Sequence, residues 1–106
     1  MKPVRAYIAK EVLSISFNGV LDISQLEIIK ETIIKKLEKP SNKAKVSIKS
    51  YERLDMAFIQ LLIMLFKHFK KSGKSIETHL NFKEDDLDML QKLGLLNVLN
   101  NYKNTI

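Results

Sequence analysis

Two histidines, His68 and His79, and an acidic run of Glu84, Asp85, Asp86 and Asp88 are the side chains of this 106-residue sequence that metal binding or proton transfer would use. Their spacing argues against both. The histidines follow no H-x-x-x-H pattern and no third ligand is suggested, so each is expected to be solvated or locally hydrogen-bonded. The acidic run lacks the spacing of a calcium loop. It opens an apolar-periodic segment, where the helix macrodipole favours negative charge, and it is expected to cap a helix. There is no cysteine, which removes disulfides, thiolate zinc sites, iron–sulfur clusters and cysteine nucleophiles, and fits a reducing, cytoplasmic setting. No phosphate-binding glycine loop, G-x-S-x-G motif or paired carboxylate is present, and no serine or threonine has an evident base. The expectation is a chain with no catalytic residues, no cofactor and no metal.

The composition is that of one soluble globular domain spanning residues 1–106: 45% apolar and 28% charged, with a net charge of +6. That charge suggests an acidic partner, but it is uneven. Residues 1–53 hold 11 basic and 6 acidic side chains, and residues 54–106 hold 7 and 6. Lys30, Lys35, Lys36, Lys39, Lys43, Lys45 and Lys49 supply most of the excess. With few arginines and no interleaved aromatics, they read as a solvated face rather than a nucleic-acid reader. Met1 to Arg5 leads into a mixed segment, so no signal peptide is expected. The most apolar run, Met56 to Phe66, has eleven residues and is interrupted by Gln60. A membrane-spanning helix needs about 20, so this run belongs to a core and no membrane insertion is expected.

The elements follow from periodicity. Val4 to Ala9 and Val12 to Asn18 alternate as strands, the second with Leu13, Ile15 and Phe17 on one side. A helix is expected over 24–38, with Ser24 and Glu27 as a capping box and Leu26, Ile29, Ile33 and Leu37 as its buried stripe, Ile34 at the edge. Lys45 to Ser50 is a third strand and Asp55 to Ser72 a long helix with Asp55 as its N-cap. Ser75 to Leu80 is a fourth strand, presenting Ile76, Thr78 and Leu80 to one side. Glu84 to Leu93 is a last helix with a stripe of Leu87, Leu90 and Leu93. The order is β-β-α-β-α-β-α, which argues for an α/β sheet with packed helices.

The long helix has two apolar sides. Phe58, Leu61, Leu62, Leu65, Phe66 and Phe69 share one broad face bordered by Ile59, enough to pack on a sheet. Met56, Gln60, Ile63 and Lys67 lie opposite, with Met64 nearby. Either neighbouring helices cover Ile63 and Met64, or the side is an interaction surface of the helix-packing kind.

These motifs resemble a known family. Asn18-Gly19-Val20-Leu21-Asp22 is similar to the G-x-L-D signature of STAS domains, shared by sulfate transporters and anti-sigma factor antagonists. Val46-Ser47-Ile48 followed by Leu54-Asp55-Met56-Ala57-Phe58-Ile59 resembles that family's strand, loop and D-S/T-S/A-G-L helix start. Lys92-Leu93-Gly94-Leu95 resembles its last-helix ending, L-x-x-x-G-L. The resemblance runs from about Val4 to Leu99 and implies a small mixed sheet with helices covering one face.

The departures are chemical. Where phospho-regulated members carry a serine or threonine this chain has Met56, followed by Ala57 and by Phe58 in place of glycine. The aspartate usual in the preceding strand is Ser47. A thioether cannot accept a phosphoryl group, so the switch cannot operate at this position; Ser50 and Tyr51, in the preceding loop, are the neighbouring hydroxyls. The resemblance implies a non-catalytic binding module that acts as a scaffold or regulatory subunit in bacterial signal transduction. The implied partner is an ATP-binding protein, either an anti-sigma kinase of the histidine-kinase-like type or the ATPase of an ABC-type lipid or solute transporter. A homodimer is the remaining protein partner. Asp55, Met56, Ala57 and Phe58 form the degenerate phosphosite, and Met56, Gln60, Ile63, Met64 and Lys67, on the outer side of the helix, are the expected partner-binding residues.

Overall fold

The structure is a computed structural model that describes residues 2–102. It opens with a hairpin of β1 (Val4–Ala9) and β2 (Val12–Phe17), paired antiparallel from Val4↔Phe17 to Ala9↔Val12. The two-residue turn between them holds Lys10 and Glu11 at φ of 51° and 65°. Left-handed backbone at both positions matches the twist of a tight hairpin, but neither residue is the Asn or Gly that adopts it without strain. The turn is also tied to the body, because the Glu11 carbonyl accepts the Asn42 N–H at 2.8 Å.

The chain continues through β3 (Val20–Leu21), a 3₁₀ turn at Ile23–Gln25, α1 (Leu26–Leu37), β4 (Lys43–Ile48), β5 (Arg53–Leu54), α2 (Met56–Lys71), β6 (Ser75–Leu80), α3 (Glu84–Lys92) and α4 (Leu95–Asn100). One sheet has the order β1-β2-β4-β6, with β2, β4 and β6 parallel and β1 antiparallel at its edge. A separate two-strand ladder pairs β3 with β5. Each step from β2 to β4 to β6 moves one place across the sheet in the same direction. Crossovers of one hand therefore put α1 and α2 on the same face.

Burial follows that geometry. Leu13, Ile15 and Phe17 of β2, Ala44, Val46 and Ile48 of β4, and Ile76 and Thr78 of β6 are buried beneath the helices. The Phe17 ring meets Phe58 of α2 edge-on, 5.0 Å between centroids. The other face of the sheet is polar. Tyr7, Ser14, Lys45 and Glu77 form one row across it and Arg5, Ser16, Ser47 and His79 the next. Glu77 binds Lys43 at 2.9 Å and His79 at 3.0 Å, and those two partners hold its carboxyl down at about 2.

Several expectations are corrected. Helix α1 starts at Leu26, and Ser24 caps nothing there: it belongs to the 3₁₀ turn capped by Asp22. The strand expected at 45–50 lies at Lys43–Ile48, its start held by the Glu11 carbonyl. Strand β2 ends at Phe17: the Asn18 N–H still reaches the Pro3 carbonyl opposite at 2.9 Å, but proline has no N–H to return the bond. In α3 only Leu90 of the expected stripe is buried, while Leu87 and Leu93 are exposed. A spacing of three residues drifts about 60° per step on a helix, so only the middle leucine reaches the core. Gly94, at φ 74°, ends α3 but is followed by α4, an additional helix that buries Leu99. No helix among the described residues is long and apolar enough to cross a membrane.

Candidate functional site

The carboxyl ends of β2 and β4 bring two distant loops together. Gly19, at φ 71°, turns the chain so that its carbonyl accepts the Glu52 N–H at 2.6 Å, and the β3–β5 ladder then aligns Val20 with Arg53 and Leu21 with Leu54. This places Asn18–Asp22 beside Arg53–Asp55, 31 or more residues away in sequence, at the start of α2.

Asp55 closes the junction. One carboxylate oxygen accepts the Phe58 N–H at 3.1 Å, an N-cap bond, and the other accepts the Ile23 N–H at 3.0 Å. Both oxygens serve backbone donors, so this carboxylate does structural work at a helix start whose dipole favours it. Asp22 forms a second node. It accepts the Ser24 N–H at 3.0 Å, the Ser24 hydroxyl at 2.5 Å and the Arg53 Nε–H at 2.9 Å. Those donors, led by the Ser24 hydroxyl, hold its carboxyl below the usual aspartate range.

The residues that follow Asp55 divide between inside and outside. Phe58 is fully buried, while Met56 and Ala57 are half-buried. Farther along α2, Ile59, Leu62, Leu65, Phe66 and Phe69 are buried and Leu61 is half-buried. On the outer side Gln60 and Lys67 are exposed, Ile63 is half-buried against the core, and Met64 is 66% exposed. Neighbouring elements therefore cover Ile63 in part and leave Met64 open. Ile23, whose N–H is held by Asp55, adds an apolar side chain that is 71% exposed at the start of the helix.

Tyr51 anchors the loop ahead of the site. It is 7% exposed, donates its hydroxyl to Asp86, and accepts the Lys83 N–H at 2.8 Å. Burial, reinforced by the Asp86 carboxylate, pushes its hydroxyl up to about 12. Of the two loop hydroxyls near Met56, then, Tyr51 is enclosed and Ser50 is exposed. Asp86 serves Tyr51, while Glu84, Asp85 and Asp88 stay exposed on α3. His68 lies exposed on α2 and His79 on the open sheet face, and no three His, Asp or Glu side chains among the described residues are placed to share a metal ion.

The Asp22–Arg53 and Tyr51–Asp86 pairs were not visible to sequence reasoning. Their members are 31 and 35 residues apart and no motif joins them. No protein-family model matches the chain, and no curated protein is significantly similar to it.

Proposed function

We propose that this chain is a non-catalytic, STAS-like protein-binding module that docks a partner on the outer side of α2. The observation that carries the reading is the split of α2 itself. Its inner face already fills the core, and yet Met64 stands open next to half-buried Ile63, about two turns along from half-buried Met56, and Ile23 is exposed at the start of the helix. Methionines suit such a surface because their unbranched, polarisable side chains adapt to a partner helix.

The partner is an ATP-binding protein, an anti-sigma kinase or an ABC-type ATPase, and the chain acts as a scaffold or regulatory subunit. Met56 removes the hydroxyl on which a phosphate switch would act, so docking is constitutive at that position. The test is capture of the tagged protein's partners from its own cells at low salt, in parallel with the Met56→Asp and Met64→Asp variants. Recovery of an ATP-binding protein by the wild type, and its loss with either variant, supports the reading. Equal recovery with both variants overturns the docking surface. Absence of any ATP-binding protein overturns the partner class.

A further inference from the structure

Part of the positive charge of the first half gathers on α1, which packs on a strand with an open edge. Strand β1 pairs with β2 on one side only. Because the Asn18 N–H bonds to the Pro3 carbonyl, the hydrogen-bonded pairs of the hairpin are Arg5–Ser16, Tyr7–Ser14 and Ala9–Val12. Val4, Ala6 and Ile8 therefore direct their N–H and C=O groups away from β2. Val4 is closed off at 1% exposure, but Ala6 and Ile8 are only half-buried, so the edge opens there.

Helix α1 packs on β1, and a groove on its outer flank is lined by Lys2, Lys35, Lys36 and Lys39, with Ile28 and Glu31. Lys2 lies two residues before the strand, which places one end of the groove near the start of β1. Four cations against one carboxylate make the flank strongly positive, and Ile28, 43% exposed, adds an apolar contact.

We infer that the β1 edge, from Ala6 to Ile8, receives an extended acidic segment of a partner protein as an added strand, with its carboxylates meeting Lys35, Lys36 and Lys39 of α1. The edge offers alternating donors and acceptors, which another polypeptide strand satisfies. A phosphodiester backbone presents acceptors alone and would leave the Ala6 and Ile8 carbonyls facing phosphate. A bilayer surface would leave the same groups without partners. A second copy of this chain paired edge to edge would bring two lysine grooves together, at a cost in like-charge repulsion. The acidic strand matches both the backbone and the charge.

The test is fluorescence anisotropy with a labelled hexapeptide of alternating glutamate and valine, blocked at both ends. Saturable binding that weakens as salt is raised is expected, and the Lys35→Glu/Lys36→Glu double variant should lower affinity about tenfold or more. Ala6→Pro removes one outward N–H and no β1–β2 hydrogen bond, a position where an edge strand tolerates proline, and should abolish binding. A peptide N-methylated at alternate residues should also fail, which decides the matter even if the proline variant does not fold. Met64→Asp should bind like the wild type, separating this edge from the α2 surface. Equal binding of a lysine–valine peptide overturns the charge match, and undiminished binding of the N-methylated peptide overturns strand addition. A single-stranded oligonucleotide or phosphatidylserine vesicles binding where the peptide does not also overturn the proposal, as does dimerisation through β1 that excludes the peptide.

Discussion

Helices α1 and α2 cross between neighbouring parallel strands on the same sheet face, yet they are held very differently. Helix α2 buries six side chains and α1 buries two, Ile29 and Ile33. The start of α2 is fixed by the Asp55 carboxylate, whereas α1 has Gln25 at its N-cap with no side-chain bond and is entered through a 3₁₀ turn. Their exteriors differ too. Met56, Ile63 and Met64 give α2 a mostly uncharged outer side, while α1 shows Lys30, Lys35 and Lys36 around the exposed Ile28 and Ile34. The surroundings explain the inner difference: α1 packs over the β1 edge, whereas α2 packs on β6, reaches Phe17 of β2 through Phe58, and meets Tyr102 past α4 through Phe66. A helix whose inner face and start are both secured can carry an apolar exterior without that exterior being needed for folding.

The largest effect expected from this comparison is in the core. Leu62→Ala in α2 should destabilise near the upper end of about 2–5 kcal/mol, and Ile33→Ala in α1 nearer the lower end, because the α1 site borders half-buried residues that can collapse into the space. Urea unfolding of the two variants measures the difference. Equal costs would break the comparison.

The caps come next. Asp55→Ala removes acceptors from two backbone N–H groups and should cost about 1–2 kcal/mol, while Gln25→Ala, which removes no cap bond, should stay within about 0.5 kcal/mol. Matching thermal-denaturation shifts for the two would show that α2 is not specially anchored. Tyr51→Phe tests the loop ahead of α2. It leaves the Lys83 N–H and Asp86 without their partner, at about 1 kcal/mol. The raised tyrosine adds a pH signature. An unfolded tyrosine ionises near its ordinary 10 and the folded one near 12, so the stability linked to Tyr51 is complete below 10 and lost as pH rises through 12. Unfolding curves across that window should fall for the wild type, and Tyr51→Phe should remove that contribution to the slope.

Much of this contrast is legible in the sequence where the side-chain pattern is strong. The spacing of Phe58, Leu62, Leu65, Phe66 and Phe69 specifies the buried face of α2, and the alternation of Leu13, Ile15 and Phe17 that of β2. Asp55 ahead of an apolar run reads as a cap for the same local reason. What escapes is non-local or marginal. A two-residue ladder such as β3–β5 has no periodicity to detect, and it forms where the sheet brings Gly19 to Glu52 and Leu21 to Asp55. Ser24 and Glu27 have the spacing of a capping box, but Asp22 captures the Ser24 hydroxyl and N–H first. The two apolar sides of α2 are visible in the sequence, while which of Ile63 and Met64 stays open depends on the packing around them.

The smallest stability change, and the sharpest separation of the two exteriors, is expected from charge placed on each. Met64 is 66% exposed and Ile34 is 54% exposed, so Met64→Asp and Ile34→Asp should each change stability by no more than about 0.5 kcal/mol. Neither variant empties a buried site. If the α2 exterior is a docking surface, Met64→Asp weakens capture of the ATP-binding partner because the carboxylate must be desolvated against an apolar contact, while Ile34→Asp leaves capture unchanged. Parallel denaturation and pull-down measurements on the two variants read both effects at once. Equal loss of capture would merge the two exteriors into one surface, and a large loss of stability with Met64→Asp would mean that the outer side of α2 belongs to the fold after all.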